Sequence, residues 1–271
     1  MEIAVSGLRV FAHTGGVDLR PGQTTVMLLH GAGNDHTIWR FMTRRLAGRG
    51  RPVVAPDLPG HGKSEGPALA SVEDMATWCL DFADAVGAGD LVVVGHSMGS
   101  LITMEVATRA PQRVVGVALL ATAEQMDVHE DLQSAADRLD GSAADLIVGW
   151  THSGRSRFGH HEAPGMWMAG VNRRLLERNA DALPTDLKAT AAWDGAAAFS
   201  AVDVPTLIVV GERDRMVPAR LGRQLRDTLA DVELVEVPGG SHASLYDHPS
   251  EVVPPLITWF DTLEHRREAR D

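Results

Sequence analysis

Asp90-Leu91-Val92-Val93-Val94-Gly95-His96-Ser97-Met98-Gly99 runs from apolar residues into a serine with a glycine two residues to either side. Its apolar run up to Val94 reads as a strand buried on both faces, and Ser100 to Ala110 continues in helix-compatible residues. Ser97 therefore sits in a tight strand-to-helix turn of the form G-x-S-x-G. Such a turn strains the backbone and brings strand and helix so close that a Cβ two residues to either side would collide, which is what Gly95 and Gly99 avoid. The turn lifts the Ser97 hydroxyl above the sheet and aims the first free N–H groups of the helix at whatever binds there. Taken without its flanks, Ser97 would be no more than a small residue in a turn.

A serine hydroxyl is a poor nucleophile at neutral pH, so this reading requires a histidine base and a carboxylate to orient it. Thr206 to Val210 is another buried-strand run, and it empties into Gly211-Glu212-Arg213-Asp214. That puts Asp214 at the carboxyl end of a parallel strand, where the ligand sites of open α/β sheets gather. The strand Val232 to Val237 ends in Pro238-Gly239-Gly240-Ser241-His242, which brings His242 to the same edge. Glu124, after the strand Val114 to Leu120, is a second candidate acid, although Asp214 fits better. The expected catalytic set is Ser97, Asp214 and His242.

With these residues in the chain order Ser, Asp, His, the sequence resembles the α/β-hydrolase superfamily from about residue 20 to about residue 263. His30-Gly31-Ala32-Gly33 after the strand Thr25 to Leu29, and Asp57-Leu58-Pro59-Gly60-His61-Gly62-Lys63-Ser64 after the strand Pro52 to Ala55, resemble further signatures of that family. The resemblance implies an oxyanion hole formed by the backbone N–H groups of Ala32 and Met98, preset donors for the charge of a tetrahedral intermediate. It also implies that Asp57 and His61 are scaffold. The expected activity is hydrolysis of a small or medium carboxylic ester or lactone through an acyl-enzyme. The loop from His30 to Asp35 is similar to that of enol-lactone hydrolases. Halide-releasing and epoxide-opening relatives carry aspartate at the elbow, where this chain has Ser97. Two alternatives share the triad: a carbon-carbon bond hydrolase of ring-cleavage diketones, against which Ser100 counts because such relatives often have glycine there, and a small-molecule receptor without turnover.

Composition agrees with one enzyme domain. A chain of 271 residues, 44% hydrophobic, can bury one large core. A formal charge of −11 argues against binding a phosphate backbone, so no nucleic-acid partner is expected. The single cysteine, Cys79, has no internal disulfide partner and reads as a buried apolar residue. The first residues lack a basic region followed by an apolar core, and no apolar run approaches the ~20 residues that span a bilayer. A cytoplasmic monomer or homodimer acting on a small molecule, without membrane contact, is expected. No dinucleotide or phosphate loop points to a cofactor, and none is expected.

The elements alternate as in an α/β fold, with a mostly parallel central sheet and helices on both faces. Ile3 to Val5 and Leu8 to Ala12 suggest an antiparallel hairpin, and helices are expected near Thr37 to Arg49 and over Ser71 to Val86. From Glu124 to Ser200 no strand-like run occurs. We therefore expect an α/β-hydrolase core over residues 1–123 and 201–271 and an inserted helical cap over 124–200. Within the cap, Trp150, Met166, Trp167, Met168 and Trp193 are candidates for an apolar pocket wall or for core packing. Arg155, Arg157, Arg173, Arg174 and Arg178 read as a solvated basic surface. His152, His160 and His161 lack the spacing of a zinc site, and no metal is expected.

Overall fold

The Val, Ile and Leu runs become the middle of one eight-stranded sheet. The computed structural model describes residues 1–20, 23–152 and 168–268. The strands are β1 (Glu2–Val5), β2 (Leu8–His13), β3 (Thr25–Leu29), β4 (Val53–Pro56), β5 (Leu91–His96), β6 (Val114–Leu120), β7 (Thr206–Gly211) and β8 (Val232–Val237). They lie in the order β1-β2-β4-β3-β5-β6-β7-β8. The first two strands pair antiparallel with each other, β2 pairs antiparallel with β4, and every pair from β4 to β8 is parallel.

The chain runs outward from β3 to β4, then crosses back to β5 and runs outward the other way to β8. The sheet therefore reverses its winding between β3 and β5, and a crevice opens beyond their carboxyl ends. Val26 pairs with Val92 and Leu29 with Gly95, so the two strands end level and deliver their following loops to one place.

Helices cover both faces: α1 (Arg40–Ala47), α2 (Val72–Ala85), α3 (Met98–Arg109), α9 (Ala219–Arg226) and α11 (Pro249–Glu268), with a short α10 (Ser244–Asp247) before the last. Because side chains alternate along a strand, Leu91 and Val93 enter one apolar layer with Phe82, Leu101 and Ile102, while Val92 and Val94 enter the other with Leu46, Leu256 and Phe260. Cys79 is fully buried in the first layer.

Between β6 and β7 the described residues form α4 (Glu130–Arg138), α5 (Ser142–Thr151), α6 (Met168–Arg178), α7 (Leu183–Ala192) and α8 (Ala196–Ala201). Leu132, Ala136, Ile147, Leu176, Leu183 and Leu187 bury a third cluster among α4 to α7. The end of the stretch behaves differently, since Trp193 and Phe199 pack into the first layer of the sheet core.

Two elements differ from the sequence reading. Where one helix is expected over Thr37 to Arg49, a 3-10 turn at His36–Trp39 precedes α1, nucleated by Asp35, whose side chain accepts from the Thr37 N–H. Helix α3 begins at Met98, two residues earlier than Ser100, so the chain leaves the elbow directly into the helix. Among the described residues, no helix is long and apolar enough to cross a membrane.

Candidate active site

Ser97 adopts φ 55° and ψ −125°, a conformation L side chains rarely hold. Close packing around it enforces the strain. A Cβ on Gly95 would overlap the Gly99 carbonyl, and one on Gly99 would run into the carbonyls of Leu29 and His30. Strand β5 and helix α3 can approach only because both positions lack that atom. Ser97 is half-buried, and it lines a cavity of about 600 Å³ beyond the carboxyl ends of the strands.

His242 lines the same cavity, on the loop after β8. Its Nδ1 lies 2.8 Å from Asp214 Oδ2, in a pair whose carboxylate is fully buried. The other oxygen, Asp214 Oδ1, accepts the backbone N–H groups of Met216 at 2.8 Å and Val217 at 2.9 Å. The loop after β7 thus folds around the carboxylate and fixes its orientation. With Asp214 as acceptor, His242 carries its proton on Nδ1 and leaves Nε2 as a lone pair for the cavity. In this conformation the Ser97 hydroxyl has no hydrogen-bond partner among the described residues.

His96 anchors the histidine loop. Its Nε2 lies 2.9 Å from the His242 carbonyl oxygen and donates to it. Burial, reinforced by the neighbouring His242, pushes His96 down to about 3, so it acts there as a neutral donor. His30 is similarly buried and pushed down to about 4. It donates from Nδ1 to the Gly31 carbonyl and accepts the Leu58 N–H at Nε2, tying the loop after β3 to the loop after β4.

The Gly31 position lies against the elbow, since a Cβ built there would stand 3.1 Å from Ser97 Cβ. Ala32 follows at the cavity wall, and Met98 opens α3. Among the described residues neither the Ala32 nor the Met98 N–H has an acceptor. The structure therefore brings Ser97, His242, Asp214, Ala32 and Met98 to one edge of the sheet.

Asp57 lies outside this group. It accepts the N–H and the ring Nδ1 of His36 on one oxygen and the Lys63 N–H on the other. Burial alone would raise its pKa; its bonds to His36 outweigh that and hold it below the usual carboxylate range. Asp35, His36 and Asp57 have ligand-like spacing, but the carboxylate oxygens and His36 Nδ1 are taken up by these bonds, by Thr37 and by Arg178.

The apolar wall is made by Met126, Val128, Leu132, Ile147, Trp150 and Leu187, with Arg215 and Asp127 among the polar lining residues. Trp150 is thus a wall residue. Trp193 needs correction: it is 2% exposed, donates its indole N–H to Glu105 Oε1 at 3.0 Å and stands edge-on to Phe199, in core packing away from the cavity lining. Gly195 gives it room, because a Cβ there would meet the Trp193 ring at 2.5 Å. Trp167, Met166, Arg155, Arg157, His160 and His161 lie outside the described residues. His152 forms a buried pair with Asp247. Glu124 is exposed, and its backbone carbonyl accepts the Gly195 N–H.

Two buried residues escaped the sequence reading. Asp186 in the first turn of α7 accepts the Gly33 N–H at 2.8 Å, and Asn179, between α6 and α7, donates to the carbonyls of Gly33 and Asn34. Asp186 follows Pro184 near a helix start, where an acidic residue is ordinary helix chemistry. Its complete burial is visible only in the fold.

Comparison with known proteins agrees with the fold. A solved enol-lactonase from Burkholderia xenovorans LB400 superposes with a TM-score of 0.85 at 21% identity, covering 96% of this chain and all of that one. A pimeloyl-[acyl-carrier protein] methyl ester esterase from Pectobacterium atrosepticum is 28% identical over 247 residues, covering 88% of this chain and 94% of the relative. A dihydrolipoyllysine-residue acetyltransferase component of the acetoin cleaving system from Cupriavidus necator is 43% identical over 120 residues, a match that spans 43% of this chain and 30% of that protein. Residues 26–254 match the sequence model of the alpha/beta hydrolase family. The chain is a hydrolase and belongs to the alpha/beta hydrolase family.

Proposed function

We propose that this hydrolase cleaves a small or medium carboxylic ester or lactone with Ser97 as nucleophile, through an acyl-enzyme. The observation that carries the reading is the joint placement of a strained, cavity-facing Ser97 and a His242 whose Nδ1 is bonded to buried Asp214. His242 Nε2 takes the Ser97 proton as the hydroxyl attacks the carbonyl carbon. The N–H groups of Ala32 and Met98 receive the oxyanion, and the imidazolium, steadied by Asp214, protonates the departing alkoxide. Water activated by His242 then attacks the acyl-enzyme and releases the acid.

The size and lining of the cavity suit an apolar acyl group of moderate length. About 600 Å³ lies within the usual range for small-molecule sites, and the wall of Met126, Val128, Leu132, Ile147, Trp150 and Leu187 is apolar, with Arg215 and Asp127 elsewhere in the lining. The relative named as a methyl ester esterase supports the ester class. In this reading, α4 to α7 act as a cap: they supply Leu132, Ile147, Trp150 and Leu187 to the cavity, while the proposed nucleophile, base, acid and oxyanion donors come from the loops after β3, β5, β7 and β8.

Steady-state assay of the purified protein against p-nitrophenyl esters of increasing acyl length, beside lactones and a ring-cleavage diketone, tests the proposal. Turnover of esters or lactones that vanishes in Ser97→Ala supports it. Turnover of the diketone alone, or a Ser97→Ala variant as active as the parent, overturns it.

A further inference from the structure

The turn that presents the Ala32 N–H is gripped from its far side by the helices between β6 and β7. Its inner face lies on the elbow at Ser97, and within the turn the Asn34 N–H bonds to the Gly31 carbonyl at 3.1 Å. The outer face belongs to other elements. Asp186 Oδ2 accepts the Gly33 N–H at 2.8 Å, and Asn179 Nδ2 donates to the Gly33 and Asn34 carbonyls at 3.2 and 3.1 Å. Asn179 Oδ1 accepts the Gly62 N–H at 2.9 Å, which extends the tie to the loop after β4. Gly33 holds φ +63°, and a Cβ there would press on Leu183 and Leu176 at 3.0 and 3.1 Å. Both backbone polarity and shape around Gly33 are therefore set by the helical segment.

His61 completes the arrangement. Its Nε2 lies 2.8 Å from the same Asp186 oxygen and its Nδ1 lies 3.0 Å from the Pro59 carbonyl. Each ring nitrogen faces an acceptor, and a neutral imidazole has one N–H. The same Asp186 oxygen also accepts the Gly33 N–H, as a carboxylate does; with Asp186 ionised both His61 bonds form together only in the imidazolium, and the geometry describes a buried His61–Asp186 ion pair, with side chains 1% and 0% exposed. A buried carboxylate is tolerated when opposite charge and N–H donors surround it, and removing one partner leaves the other uncompensated. The titratable groups around His61 are Asp186, Asp57 and His30, whose ring centroid stands 4.9 Å away and which burial keeps neutral.

We propose that Asp186, with His61 as its imidazolium partner, is a positioning residue for the oxyanion hole, acting through the Gly33 N–H to hold the Ala32 N–H on its target. The inference rests on Ala32 being an oxyanion donor, as in the function proposed above. The helical segment then fixes part of the catalytic geometry as well as walling the cavity. Displacement of a donor by an ångström is enough to slow acyl transfer on the order of 10²-fold. Because the oxyanion bond strengthens in the transition state, the loss belongs in kcat and not in KM.

The test compares wild type, Asp186→Ala, Asp186→Asn and His61→Gln on p-nitrophenyl butyrate and measures the rate at which a small phosphonate ester labels Ser97. In Asp186→Ala, kcat and the labelling rate should fall together by about 10- to 100-fold, with KM changed by less than about threefold and the order of preference among acyl lengths unchanged. Asp186→Asn, which keeps an oxygen for the Gly33 N–H, should recover most of the loss. In wild type, kcat should decline at alkaline pH as His61 loses its second proton, and His61→Gln should lack that decline. Unchanged kcat and labelling in folded Asp186→Ala would overturn the inference. If that variant does not fold, a pH profile of His61→Gln identical to wild type overturns it instead. Failure of wild type to be labelled at Ser97 would refute the underlying function, a different result from equal labelling of wild type and variant.

Discussion

Asp214 and His242 lie 28 residues apart in the chain, yet the carboxylate Oδ2 stands 2.8 Å from the ring Nδ1, with two backbone amides on the other oxygen. The carboxylate is therefore locked in place before any ligand arrives. An amide at that position would still accept from Met216 and Val217 but would turn an N–H toward Nδ1, forcing the proton to Nε2. Asp214→Asn should fold normally and lose roughly 10⁴ in kcat, while Glu124→Gln stays within a few-fold of wild type. Steady-state kinetics on one ester, with thermal melts, checks both; a larger kinetic loss in Glu124→Gln would assign the acid elsewhere.

Gly99→Ala should be far more damaging than its single methyl suggests, because the new Cβ meets backbone carbonyls of Leu29 and His30 that cannot rotate away. Overpacking of this kind costs roughly 1–3 kcal/mol or more. Urea unfolding should move to a lower midpoint, and the strained Ser97 should relax. An unchanged midpoint would mean that β5 and α3 do not approach as closely as described.

The two tryptophans should separate. Trp150 lines the cavity, so Trp150→Ala should alter relative kcat/KM among acyl lengths by about 1–3 kcal/mol at nearly constant stability. Trp193 is packed against Phe199 and bonded to Glu105, so Trp193→Ala should cost stability, on the order of 3–5 kcal/mol, and leave chain-length preference alone. A ranking of esters that shifts with Trp193 would contradict this assignment.

Acid sensitivity should come partly from buried neutral histidines. His96 sits at about 3 in the folded protein against an ordinary 6.5, and the unfolded chain takes up the proton first as pH falls. Stability is therefore complete above about 6.5 and declines toward 3, with a slope approaching roughly 1.4 kcal/mol per pH unit for this one group. Urea midpoints between pH 7 and 5 should fall more steeply for wild type than for His96→Gln. Parallel curves would show that His96 does not carry the effect.

The sheet was readable because parallel strands buried on both faces write themselves as Val, Leu and Ile runs, and the elbow because its glycines answer a local steric demand. Asp214 could be located because it follows such a strand, and His242 because it follows the edge strand β8, whose Val and Leu residues alternate with glutamates. The residues that hold the turn after β3 were not legible. Gly33 and Asp186 are 153 positions apart, and nothing in the first turn of α7 distinguishes a buried ion-pair partner from a surface acid. Trp193 shows the same limit: composition identifies a large apolar side chain, but only packing decides between wall and core.

Peptide mapping of the purified protein after reaction with a small phosphonate ester identifies the nucleophile. A Ser97 nucleophile predicts one adduct, on that serine, that forms in step with loss of esterase activity, is absent in Ser97→Ala and is strongly slowed in His242→Ala. An adduct on any other residue, or full inactivation with Ser97 unmodified, would contradict it.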